Sequence, residues 1–176
     1  MNTLTLLRHA KSGGEEPGMP DIDRPLNAKG RRAAEAMGRH LAEQGVAFDA
    51  VVASPARRVR ETLDAVATGY GAALAATWDR RLYLASADTL LEVAHEQSAA
   101  SVLLVGHNPG LEELVLALVP TCADGLRGAV EEKYPTASVA QLAVPGGWAD
   151  LVPGTATLTR FIRPRDLDPT LGPDAD

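Results

Sequence analysis

Short apolar runs alternate with amphipathic stretches along this chain, and the runs set the frame. Residues 2–7, with Leu4, Leu6 and Leu7, predict a first strand that ends abruptly in Arg8 and His9. Glu15 to Pro25, with three prolines and Gly18, predicts a loop. Asn27 is a capping residue, and the pattern after it predicts a helix through Met37 to Gly45. Phe48 to Ala53 predicts a second strand, broken by Ser54-Pro55; Ser54 is placed to cap, and Pro55 to open, a helix running to about Tyr70.

A weaker strand over 73–77 and a helix from Ser86 to about Gln97 follow. Ser101 to Val105 is a strong apolar strand, Pro109 opens a helix to about Val119, and strands near 137–144 and 155–162 close the pattern. This order predicts an α/β fold: a three-layer sandwich with a mostly parallel central sheet flanked by helices. Residues 1–165 read as one domain, and 166–176, rich in Pro, Asp and Gly, as a flexible acidic tail. The connection 120–135 reads either as a lid or as plain surface.

Composition narrows the function classes. A chain of 176 residues suits one core that buries about two-thirds of its unfolded surface. The net charge of −6, with no block of basic residues, argues against a nucleic-acid partner and leaves room for a local anion site. The single cysteine, Cys122, excludes an internal disulfide and a cysteine-based zinc site, which fits a reducing cytoplasm. No apolar run approaches the roughly 20 residues of a membrane span, and the first residues lack a signal-peptide pattern. The expectation is a soluble cytoplasmic monomer with no membrane partner. Arginine outnumbers lysine 14 to 3, which fits a compositional bias and receives no functional weight.

The chemistry concentrates at three strand ends, where open α/β sheets place their ligands. The first ends in Arg8-His9, the second leads into Ser54-Pro55-Ala56-Arg57-Arg58, and the third ends in Gly106-His107-Asn108. If these strands are parallel neighbours, two imidazoles, at least two guanidinia and two helix N-termini converge on a phosphate-shaped pocket. Phosphoryl transfer needs mainly positioning and charge neutralisation, so no metal and no cofactor are expected. A neutral imidazole attacks phosphorus; nearby arginines would lower its pKa, and a backbone carbonyl on one ring nitrogen would aim the other. The second imidazole, if protonated, would steady the transferring oxygens.

Other residues read more plainly. His40 and His95 fall within helices as surface or boundary residues, and Lys11 faces solvent. Ser54 and Thr62 cap or pack locally, and Asn108 either orients the pocket or shapes the turn before Pro109. Spacing alone does not choose among Arg57, Arg58 and Arg60.

Together Arg8-His9, Ser54-Pro55-x-x-Arg58-x-x-x-Thr62 and Gly106-His107-Asn108 resemble the histidine phosphatase (phosphoglycerate mutase-like) superfamily. Arg8-His9-Ala10-Lys11-Ser12, Asp23-Arg24-Pro25-Leu26, Leu82-Tyr83 and Gly106-His107-Asn108-Pro109-Gly110-Leu111-Glu112 look like its SixA-like phosphohistidine phosphatases. Lys133-Tyr134-Pro135-Thr136, Trp148 and Pro164-Arg165 extend the likeness to about residue 165. The resemblance implies His9 as the phosphorylated nucleophile, Arg8, Arg58 and His107 as the phosphate pocket, and Arg24 as a further donor. Ala10 stands where the superfamily usually has glycine, a small departure if φ there is negative.

A second departure concerns the acid that mutase and acid-phosphatase relatives carry after the middle strand. Asp21, Asp23, Asp79 and Asp88 are the candidates, and none is singled out. Imidazole leaves more readily than an alkoxide and needs less acid help, which favours phosphohistidine on a protein as substrate, with inorganic phosphate released. The rivals are a small-molecule phosphomonoesterase and a catalytically silent phosphate-binding module.

Overall fold

A computed structural model gives the architecture and describes residues 1–14, 16–121 and 125–173; Cys122 lies outside them. Among the described residues six strands and six α-helices follow one another as β1 (Asn2–Arg8), α1 (Ala28–Glu43), β2 (Ala50–Ala53), α2 (Arg57–Tyr70), β3 (Thr77–Trp78), α3 (Ala87–His95), β4 (Ser101–Gly106), α4 (Gly110–Leu118), α5 (Gly125–Glu132), β5 (Val139–Val144), β6 (Thr157–Ile162) and α6 (Pro164–Leu167). The sheet order is β3-β2-β4-β1-β5-β6. β1 to β4 run parallel to their neighbours among themselves, while β5 is antiparallel to both β1 and β6.

β1 and β4 present apolar residues on both faces because helices cover both sides of the sheet. Leu4, Leu6, Val102 and Leu104 point to one side, against α3, α4 and α5. Leu7, Leu103 and Val105 point to the other, against α1 and α2. Each of these leucines is fully buried, a burial of about 1.5–3 kcal/mol per side chain.

Two close backbone approaches hold the α1 side. A Cβ on Gly38 would fall 2.0 Å from the Val66 carbonyl oxygen, and one on Gly69 would fall 1.9 Å from that of Glu35. Larger residues there would push α1 and α2 apart. At the start of α1, Asn27 accepts from the Gly30 N–H at 2.8 Å, and Ser86 accepts from Thr89 at α3, as capping chemistry predicts.

The structure departs from the sequence pattern in five places. β2 begins at Ala50, and β3 is only Thr77–Trp78. Pro55 lies outside α2, which starts at Arg57 after Ala56 with no side-chain cap; the Ser54 hydroxyl is engaged across the sheet instead. Within 120–135 the described residues include α5, pinned by buried Val130. The expected loose tail is corrected through residue 173: Pro164 opens α6, Asp166 accepts from the Arg163 N–H at 2.9 Å, and Leu167 and Leu171 pack on the α1-side core. That apolar pair supplies the burial a polar tail lacks. Residues 174–176 of the predicted tail lie outside the described residues. Among the described residues no helix is long and apolar enough to cross a membrane.

Candidate active site

Strand register assembles the site. Arg8 pairs with Gly106 and Ala53 with Val105, so the residues that follow, His9, Ser54 and His107, leave the sheet side by side. The ring centroids of His9 and His107 are 5.3 Å apart. They line a cavity of about 340 Å³ with Arg8, Arg24, Arg58 and Asn108, so the catalytic and binding candidates read from the sequence, the acids apart, meet at one place.

His9 Nδ1 lies 2.8 Å from the Ala10 carbonyl oxygen. A carbonyl only accepts, so Nδ1 carries the proton and Nε2 keeps a lone pair. Burial pushes the His9 pKa down to about 3; the Ala10 contact opposes this, while His107, Arg58 and Arg8 add to it. Burial thus outweighs the arginines as the cause of neutrality. The Ala10 N–H donates to Thr62 Oγ1 at 2.9 Å, and that hydroxyl donates to the Arg58 carbonyl at 2.6 Å. Thr62 therefore fixes the loop that aims His9, a role its sequence position did not suggest. Among the described non-glycine residues positive φ occurs only at Leu84 and Ala137, so Ala10 fits its position without strain.

His107 is held at both ring nitrogens. Arg58 Nη2 donates to Nδ1 at 3.3 Å, which leaves Nε2–H to donate to Ser54 Oγ at 2.8 Å. Burial first, and then Arg58, hold its pKa down at about 4, so at neutral pH this ring is uncharged rather than the conditional cation of the sequence reading. Ser54 also accepts from the Ala56 N–H at 3.3 Å. It is an anchor for His107 more than a helix cap.

Arg58 is the inward member of its trio, only 3 % exposed, whereas Arg57 pairs with Glu61 on the surface and Arg60 stacks on Trp78. Asp21 gathers the cations. It takes Arg58 Nη2 at 3.0 Å, Arg24 Nη1 at 3.2 Å and the Tyr83 hydroxyl. The bond from Tyr83, helped by Arg58 and Arg24, lowers its pKa to about 2. Of the four candidate acids only Asp21 lines the cavity, and it is ionised. Asp79 pairs instead with Arg81.

Arg8 donates from Nη1 to the Tyr134 carbonyl at 2.8 Å, and Asn108 Nδ2 reaches the same oxygen at 3.2 Å. Arg24 Nη2 donates to Ser12 at 2.8 Å. Yet the Nε atoms of Arg8 and Arg24 are buried and meet no acceptor. Buried donors of this kind are rare and call for an acceptor; a phosphoryl oxygen in the cavity is one. Lys11, expected to face solvent, is half-buried at the rim. Among the described residues no three His, Cys, Asp or Glu side chains cluster as a metal site would.

A parallel-stranded sandwich with paired imidazoles and guanidinia at its strand ends defines a phosphoryl-transfer site, and residues 4–83 match the histidine phosphatase superfamily (branch 1). The chain belongs to that superfamily and is a phosphatase with the phosphoglycerate mutase-like fold. Within it the chain is SixA-like. It shares 34% identity with a solved structure from Nakamurella multipartitia provisionally named phosphohistidine phosphatase SixA, at a TM-score of 0.76 over 93% of this chain and 96% of that one. A second, likewise provisionally named, is from Agrobacterium tumefaciens: 29% identity, TM-score 0.78, covering 92% of this chain and 97% of the other. The uncharacterized protein Rv1276c of Mycobacterium tuberculosis is 39% identical over 90% of this chain and its own full length.

Proposed function

We propose that this phosphatase removes the phosphoryl group from phosphohistidine on a protein, without a metal, through a phosphorylated His9. The observation that carries the reading is the pairing of a neutral Nε2 lone pair on His9 with a pocket in which Asp21, the one carboxyl group among the described lining residues, is ionised. In the first step Nε2 attacks phosphorus in line. The P–N bond to the substrate ring breaks and its electron pair returns to that ring nitrogen, while the ring's other nitrogen, protonated from solvent, lets it leave as neutral imidazole. Arg8, Arg58 and Arg24 donate to the three equatorial oxygens, and the dipole of the helix after Arg57 adds to their field.

In the second step water attacks the phosphorylated His9, the P–Nε2 bond breaks, and inorganic phosphate leaves. Asn108 and the backbone around Tyr134 hold Arg8 in place throughout. A substrate ring needs no enzyme-borne acid to depart, whereas an ester oxygen does. The names of the two solved relatives point the same way, and a phosphorylated cytoplasmic protein fits the charge and cysteine content.

The test compares a phosphohistidine protein with phosphate monoesters, using the intact chain and His9→Ala. The expected result is turnover of phosphohistidine well above that of esters, unaffected by chelators, with an acid-labile, alkali-stable label that His9→Ala abolishes. Faster ester turnover would make the protein a small-molecule phosphomonoesterase. Turnover of neither, with no label, would leave a phosphate-binding module.

A further inference from the structure

A second groove, of about 430 Å³, opens beside the phosphoryl cavity and shares Arg8, Lys11 and Thr136 with it. Its charge is one-sided. Besides Arg8 it is lined by Lys11, Lys29, Lys133, Arg163 and Arg165, and among the described residues no Asp or Glu lines it. These five come from four separate stretches: the loop after β1, the start of α1, the segment after α5, and α6 with the residue before it. All three lysines of the chain stand here, in a protein of net charge −6. The bias against lysine along the rest of the sequence makes this placement specific to the groove.

Several of these cations have partners of their own. Arg163 pairs with Asp166 at 2.9 Å and feels Glu132, and Lys29 donates to the Gly172 carbonyl at 2.5 Å. Between the cations lie apolar surfaces of Ala33, Pro135 and Leu171. Cations drawn from distant segments into one concavity repel one another, and apolar walls strengthen their field. An anionic occupant offsets that repulsion. Apolar walls between point charges suit a peptide that alternates acidic and apolar side chains better than a compact polyphosphate.

Resting on the phosphohistidine reading above, we infer that this groove holds an acidic segment of the substrate protein that flanks its phosphorylated histidine. The shared Arg8 and Lys11 make the two sites continuous, so a chain with its phosphoryl group at His9 extends directly into the groove. The contacts act on association and KM; the reacting atoms are untouched.

The experiment uses two phosphohistidine peptides, one with Asp and Glu flanks and one with Ser and Gln flanks, together with phosphoramidate as a small P–N substrate. Each is assayed with the intact chain and with Lys133→Glu/Arg165→Glu. The acidic peptide is expected to show a KM roughly tenfold lower than the neutral one, a preference that added salt erodes and the double variant abolishes. Phosphoramidate turnover should be unchanged in the variant. Lys133 is exposed, so Lys133→Gln alone reads the same preference, reduced, with folding undisturbed. Equal KM values for the two peptides, with turnover intact, overturn the groove assignment and leave phosphohistidine hydrolysis standing. Competition by tripolyphosphate without any peptide preference also overturns it in favour of a small polyanion. Hydrolysis of phosphate esters with no turnover of either peptide or of phosphoramidate overturns the phosphohistidine reading itself, and the groove assignment with it.

Discussion

His9 and His107 leave neighbouring strand ends, lie 5.3 Å apart and are both kept neutral by burial, yet they are wired oppositely. His9 is held at one nitrogen by a carbonyl, and its other nitrogen is left with a lone pair. His107 is held at both, by Arg58 and by Ser54. Similar burial therefore gives one ring that can attack and one that can only hold and be held. Hydrogen-bond connectivity, more than pKa, separates the two roles.

The sharpest way to break this comparison is to remove each ring in turn. His9→Ala should cost on the order of 10³–10⁴-fold in kcat and abolish the phosphoenzyme, while His107→Ala should slow turnover yet still accumulate label. Label persisting in His9→Ala but lost in His107→Ala would exchange the roles.

Acid stability sharpens the comparison next. An unfolded chain protonates its histidines near pH 6.5, whereas the folded protein keeps His107 neutral to about 4 and His9 to about 3. The unfolded state thus binds more protons below pH 6.5, and stability falls as pH falls, by about 1.4 kcal/mol per pH unit for each ring. Denaturant melts from pH 7 to 4 should show this slope, reduced by one proton in either alanine variant. A slope unchanged in His9→Ala would mean that its ring is not held neutral.

The supports of the two rings differ as well. Thr62→Val leaves the Ala10 N–H unpaired, a loss of about 1–3 kcal/mol, and should lower kcat about tenfold with KM nearly constant. Ser54→Ala should instead disturb His107 and raise KM for substrate. The smallest effect belongs to Asp21→Asn. Because Asp21 is ionised down to about pH 2, its loss should change ester turnover by less than about tenfold and strengthen inhibition by inorganic phosphate. A loss near 10³-fold on esters would make Asp21 a proton donor.

Much of this was legible in the sequence because the site sits where strands end. Apolar runs mark β1, β2 and β4, and the residues after each run are His9, Ser54 and His107 whatever the helices do. The register that sets them side by side is a property of the sheet, which a single sequence does not state. The same holds for the roles of Ser54, Thr62 and Asp21. Each bonds to a segment distant in the chain, and local rules assigned Ser54 to the helix next to it. The α6 turn escaped notice because two apolar residues, Leu167 and Leu171, outweigh a polar composition once they find a core. Lys11 looks solvent-facing in the sequence because its neighbours in the groove come from other segments.

Gly30 has a consequence for anyone who would redesign this protein. A Cβ at that position would fall 2.2 Å from the carbonyl oxygen of Lys11, two residues beyond His9. Exchanging helix-interior glycine for alanine is a standard route to heat resistance, and α1 offers Gly30 and Gly38 as its obvious targets. At Gly30 the gain in helix propensity would be outweighed by displacing the backbone just after His9. Alanine at Gly30 should therefore cost stability as well as disturb the segment after His9.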